Sequence, residues 1–256
     1  MGTIAISGCA TGMGAATRAR LEKDGHRVLG IDLRGVEIDA DLATPDGRRA
    51  AVRELLERCG GRLDGLVLCA GLGGHIGDNA RVASVNYFGT VELLDPLLPA
   101  LRKGQSPAAV VIGSNSAQLA PDVGASSLVQ AMLRGDEAES RRLAESDFGG
   151  QLVYMMSKHA LGCAVRRRAL QWGEAGVRLN AVAPGPIMTP LLESALATPG
   201  TGEAIRAFKI PIGRMGHPDD VAGVIRYLLG PETSFVHGSI WYVDGGADAL
   251  VRPDRY

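Results

Sequence analysis

Residues 3–14, TIAISGCATGMG, decide how the rest of the chain is read. The β-branched run TIAIS meets three glycines, Gly8, Gly12 and Gly14, and GAATRARLEKDG then reads as a helix closed by Gly25. A strand passing through a glycine loop into a helix gathers free backbone N–H groups and the positive end of the helix dipole at one point, which suits a pyrophosphate. Gly8 permits the tight turn, Gly12 lets the backbone approach a phosphate, and Gly14 lets the helix pack closely on the sheet. Alone, such a loop also fits a plain structural turn. The second strand, HRVLGID (26–32), supplies context: it ends at Asp32, about 20 residues on, where a carboxylate can accept hydrogen bonds from an adenosine ribose.

That carboxylate also chooses between dinucleotides. A 2′-phosphate within about 4 Å of Asp32 meets repulsion of several kcal/mol at an effective dielectric near 20. Arg34 could offset part of it, but CATGM within the loop offers no second base, so NAD is expected over NADP. Asp41 fits either a contact to the adenine edge or a solvated surface carboxylate.

Outward from the loop, strand-like and helix-like stretches alternate. GRRAAVRELLERCG (47–60) has helical spacing, DGLVLCAG (64–71), AAVVIGS (108–114) and VRLNAVAPG (177–185) are buried apolar runs, and SIWYVDGG (239–246) is the last strand. Helices are expected over 81–102 and 154–174. Nearly continuous apolar strands alternating with helices point to a parallel sheet covered on both faces, a doubly wound α/β fold. Residues 121–150 break the rhythm with more charge; Leu128, Met132 and Leu143 fit short amphipathic helices, with breaks at Gly135 and Gly149-Gly150, so a helical insertion is expected there.

The chain has 256 residues, 27 basic and 28 acidic, for a formal net charge of −1. Its length suits one domain. The balance leaves no electrostatic footprint for nucleic acid or an anionic membrane. Four cysteines without CxxC spacing read as free thiols in a reducing compartment, and no spacing points to a metal. No apolar run is long enough to span a bilayer, and the glycine loop interrupts any signal peptide, so a cytoplasmic protein is expected.

YMMSK (154–158) places Tyr154 and Lys158 one helical turn apart on one face. Free tyrosine is a poor base at neutral pH, and bringing its pKa there takes about 4 kcal/mol. A lysine ammonium ~4–5 Å away supplies about 3–4 kcal/mol at an effective dielectric near 20. The spacing therefore predicts a general acid/base tyrosine activated by its lysine.

SGCATGMG, CAG (69–71), VNYFG (85–89), Ser114, YMMSK, APGPIMTP (183–190) and VDGG (243–246) occur in an order that resembles the short-chain dehydrogenases/reductases over essentially the whole length. The resemblance implies a Rossmann-type, mostly parallel seven-stranded sheet forming a single NAD-binding catalytic domain over 1–256, with the insertion at about 121–150 and a substrate lid at about 188–215. It implies catalytic roles for Asn86, Ser114, Tyr154 and Lys158: Ser114 hydrogen-bonds the substrate oxygen, Lys158 also holds the nicotinamide ribose, and Asn86 binds a relay water. Ser116, on the same strand face, rivals Ser114. Cofactor contacts are expected from Gly8, Thr11, Gly12, Met13, Asp32, Leu33, Asp41, Leu42, Cys69, Ala70, Gly71, Tyr154 and Lys158. Beside the nicotinamide they are expected from Pro184, Gly185, Ile187 and Thr189.

The chain departs from the family pattern at Ser7 (threonine in the family), at Cys69 (asparagine) and in the forty residues between Ser114 and Tyr154. The insertion falls where ordinary members build a four-helix subunit interface, so a homodimer is expected rather than a tetramer. Leu72, Met188, Leu191, Leu192, Ile205 and Phe208 are expected to line a pocket for a hydrophobic secondary alcohol or ketone, steroid-sized or smaller; a smaller aromatic or terpene alcohol is the alternative substrate. The rival reading is a catalytically idle NAD-binding regulatory protein on the same fold.

Overall fold

The computed structural model describes residues 1–119 and 122–254; position 121, where the expected insertion begins, lies outside the described residues. Seven strands, β1 (Thr3–Ser7), β2 (Arg27–Asp32), β3 (Ile38–Asp39), β4 (Gly65–Leu68), β5 (Ala108–Ile112), β6 (Arg178–Pro184) and β7 (Ile240–Val243), form one sheet in the order β3-β2-β1-β4-β5-β6-β7. Every pairing is parallel. The two-residue β3 has no period of its own for the sequence to display; it exists through its register with Ile31 and Asp32.

β4 and β5 are buried throughout, as strands covered on both faces must be. On one face α1 (Gly12–Lys23) and α10 (Pro218–Leu229) enclose Ile4, Ile6, Val67, Val110, Val182 and Ile225. The larger core lies on the other face, under α2 (Pro45–Arg58), α4 (Gly89–Leu101) and α7 (Gly150–Arg167). β1 lies between β2 and β4, so successive connections leave it in opposite directions and open a crevice at the carboxyl ends of the strands.

The helix expected over 81–102 is three segments: α3 (Asn79–Ala83), a π turn (Ser84–Phe88) and α4. The helix expected over 154–174 begins four residues earlier, at Gly150, and breaks at Arg168 before α8 (Ala169–Glu174).

The insertion folds as α5 (Ser127–Leu133) and α6 (Glu137–Ser146), separated at Gly135, whose φ of 77° lies in the left-handed region that glycine alone enters at no steric cost. Leu128, Met132 and Leu143 are buried, against α7 and α3. Arg48 of α2 fastens it. Its guanidinium is buried and donates to Glu92 of α4 at 2.7 Å, to Glu137 of α6 and to the Leu42 carbonyl at 3.1 Å. Among the described residues no helix is long and apolar enough to cross a membrane, and all four cysteines are free.

Candidate active site

The glycine loop fits a ligand backbone because it has no space for side chains of its own. Gly8 and Gly12 take φ of 67° and 58°, and a β-carbon at Gly8 would lie 2.5 Å from the Ala70 nitrogen. At Gly14 one would lie 2.1 Å from the Gly8 carbonyl oxygen. The loop's main chain instead faces a groove of about 210 Å³, which also collects Thr11 and Met13, Asp32 and Leu33 from the end of β2, Asp41 and Leu42 after β3, and Cys69, Ala70 and Gly71 after β4. The Asp32 carboxylate accepts the Ala10 N–H at 2.9 Å and the Leu33 N–H at 2.8 Å, which holds it beside the loop. Burial pushes the Cys69 thiol up to about 12, so it is neutral at physiological pH. Amides without side chains at a helix start, followed by a fixed carboxylate, are the donor set a dinucleotide requires.

Tyr154 and Lys158 stand one turn apart on α7, with the Lys158 Nζ 6.0 Å from the Tyr154 ring centroid. Lys158 is 5 % exposed and donates to the Ile112 carbonyl at 2.9 Å; burial pushes its ammonium down to about 8. Burial also holds the Tyr154 phenol above its ordinary value, and the Ser114 hydroxyl pulls the other way. Here the expectation from spacing needs correction. Lys158 does not bring the phenol toward neutrality in the protein alone, because the same desolvation disfavours both charges and the ammonium is turned to a backbone carbonyl.

Ser114 follows β5, which ends at Ile112, and caps the 3₁₀ turn Asn115–Gln118 by accepting the Ser116 N–H at 3.2 Å. Ser116 therefore does not share a strand face with it. The two hydroxyls instead bond one another at 2.9 Å.

Asn86 lies fully buried inside the π turn. Its Oδ1 accepts the Leu72 N–H at 2.7 Å, and its Nδ2 donates to the Leu72 carbonyl at 3.0 Å and to Ser157 Oγ at 3.2 Å. The carboxamide is thus a brace between the loop after β4 and the catalytic helix: both of its amide hydrogens are used, and Oδ1 keeps one lone pair beyond the Leu72 N–H.

Tyr154, Lys158, Ser114 and Ser116 line an apolar cleft of about 340 Å³. It shares Met13, Cys69, Gly71, Leu72, Thr189 and Leu191 with the groove, so the two are one continuous site. Pro184, Gly185 and Ile187 wall it where β6 ends, and Thr189 caps α9 (Pro190–Ala197) through its hydroxyl. Of the six expected substrate-side residues, Leu72, Leu191, Leu192 and Ile205 line the cleft, whereas Met188 and Phe208 do not. Leu119, Gln151, Met155 and Ala195 were not anticipated, although Met155 stands inside the YMMSK stretch itself. His75, in the loop after β4, meets Ser194 Oγ at 3.2 Å and joins that loop to α9.

Full-length comparison decides the family. The chain is 51 % identical to the 3-alpha-hydroxysteroid dehydrogenase/carbonyl reductase of Comamonas testosteroni, covering 100 % of both chains. It belongs to the short-chain dehydrogenase/reductase family of oxidoreductases. As a member, it is also 30 % identical to a coniferyl-alcohol dehydrogenase of Pseudomonas sp. (strain HR199 / DSM 7063), over 95 % of each chain. Among solved structures, the 3-alpha-hydroxysteroid dehydrogenase from Pseudomonas sp. B-0831, complexed with NADH, superposes with a TM-score of 0.97 at 49 % identity, covering 99 % of this chain and 100 % of that one. A family profile described as enoyl-(acyl carrier protein) reductase matches residues 138–248. The expected fold class, family and oxidoreductase activity are borne out.

Proposed function

We propose that this short-chain dehydrogenase/reductase is an NAD-dependent enzyme interconverting a hydrophobic secondary alcohol and its ketone, of the 3α-hydroxysteroid type. The carrying observation is that Tyr154, Lys158 and Ser114 share the wall of an apolar cleft continuous with the glycine-loop groove. The full-length identity to a 3-alpha-hydroxysteroid dehydrogenase/carbonyl reductase supports the substrate class, and the NADH complex of a relative supports the cofactor. Asp32 in the groove favours NAD over NADP, since Arg34, the base that could have offset it, does not line the groove.

When bound, the nicotinamide supplies the hydride acceptor or donor and, oxidised, a positive charge beside the phenol. Ser114 donates to the substrate oxygen, where negative charge develops. Tyr154 takes the hydroxyl proton in oxidation and returns it in reduction. Lys158 would hold the nicotinamide ribose hydroxyls, and Asn86 braces Leu72 against α7. Residues 188–215 act as a lid, with His75 and Ser194 meeting at its edge. The resemblance puts the insertion where other members build their tetramer interface, which supports a homodimer. Four free thiols favour the cytoplasm.

NADH formation across a panel of 3α-hydroxysteroids, aromatic alcohols and terpene alcohols tests the reading. Turnover of a 3α-hydroxysteroid is expected. Turnover of aromatic or terpene alcohols alone would replace the substrate class, and none at all with NADH still bound would favour an idle binding protein.

A further inference from the structure

Arg81 reaches over the adenosine end of the groove from the first turn of α3, where its own N–H donates to the Asp78 cap at 2.9 Å. Its Nη2 donates to both oxygens of Asp41 at 3.0 Å. Asp41 Oδ1 also accepts the Ala43 N–H at 2.9 Å, whereas among the described residues Oδ2 has Arg81 as its sole partner. Oδ2 therefore keeps acceptor capacity, and Asp41 and Arg81 line the groove together with the apolar residues Ala40, Leu42 and Val85. The side chains of Arg81 and Asp41 are 36 % and 37 % exposed, and an ion pair so open to solvent adds little to folding. Its place in the groove lining is better matched to a ligand.

We propose that Arg81 is a positioning residue for the cofactor's base: it fixes the Asp41 carboxylate so that Oδ2 accepts from an exocyclic amino group. The inference rests on the NAD reading above. A carboxylate held this way attracts a purine carrying a 6-amino donor and repels one carrying a 6-oxo acceptor. The pair therefore selects adenine over hypoxanthine while making no demand on the nicotinamide half. Arg81 also belongs to the helical run that continues into the π turn holding Asn86, so the base is read from the same element that braces the catalytic helix.

The experiment is a fluorescence titration of the full chain and its Arg81→Ala and Arg81→Lys variants with three reduced probes: NADH, its hypoxanthine analogue, and nicotinamide mononucleotide, which lacks the adenylate. The wild type should prefer NADH to the hypoxanthine analogue. Arg81→Ala should weaken NADH about fivefold to tenfold and shrink that preference by a similar factor. Mononucleotide affinity should not change, and Arg81→Lys should restore part of the loss. Unaltered NADH affinity and base preference in Arg81→Ala would overturn the inference, as would a parallel loss of mononucleotide binding, which marks general damage to the groove. A wild type that binds NADH without discriminating the bases overturns the inference and leaves the cofactor reading standing. A wild type that binds no NADH overturns both.

Discussion

The Lys158 ammonium donates to the Ile112 carbonyl at 2.9 Å, joining the catalytic helix to the last residue of β5, two positions before Ser114. The bond aligns three groups of the site, but it holds a cation where burial disfavours it. Depression of the amine from 10.5 to about 8 corresponds to a cost of ~3 kcal/mol for the charged form. The unfolded chain then binds more protons than the folded one between the two values. Lys158 should therefore destabilise the fold in full below pH 8 and progressively less as pH rises toward 10.5. Lys158→Met should abolish turnover, and in thermal melts without cofactor the wild type should gain on the variant between pH 7.5 and pH 9.5. A gap independent of pH would show that the amine is not desolvated as described.

Tyr154→Phe should lower turnover by about 10²- to 10⁴-fold while NADH affinity changes little. Burial raises the phenol, so alcohol oxidation, which needs it deprotonated, should climb with pH through the neutral range and beyond. Ketone reduction, which needs the proton, should hold on the acid side and fall on the same limb. Profiles of kcat/KM in both directions check this; an oxidation rate flat above neutrality would remove Tyr154 as the titrating base.

Ser114 and Ser116 are separable by mutation because their hydroxyls occupy different places in one hydrogen-bonded pair. Ser114→Ala should cost about 10²- to 10³-fold in kcat, the range for losing one donor to a developing oxyanion. Ser116→Ala should cost a few-fold, through the freed rotation of Ser114. The reverse ranking would exchange their roles.

Asp32→Ala should relax the preference for NAD over NADP by about two powers of ten, from removal of repulsion worth several kcal/mol at close range. Steady-state kcat/KM with each dinucleotide measures it. A wild type that already prefers NADP would refute the electrostatic argument.

Light scattering should give the mass of two 26.7 kDa chains. A tetramer would mean that α5 and α6 do not block the face they cover. Removing the insertion is no cleaner test, because Leu128, Ala131 and Met132 within it are fully buried in the main core.

The strands, the glycine loop and the Tyr154–Lys158 spacing were legible because each is a short-range pattern: period, turn residues and helical pitch need no knowledge of distant neighbours. The insertion was legible for the same reason, since Leu128, Met132 and Gly135 declare short helices and a break. Other features were settled by the tertiary structure alone. β3 exists through pairing with Ile31 and Asp32, and the π turn around Asn86 interrupts what the local pattern shows as one helix. Asn86 became a brace because Leu72 and Ser157 arrive from 14 and 71 residues away. The ionisation of Tyr154 and Lys158 was out of reach of spacing arguments. Charge separation along a helix can be estimated from sequence, but desolvation depends on which remote elements close over the pair, and here burial is the leading influence on both groups.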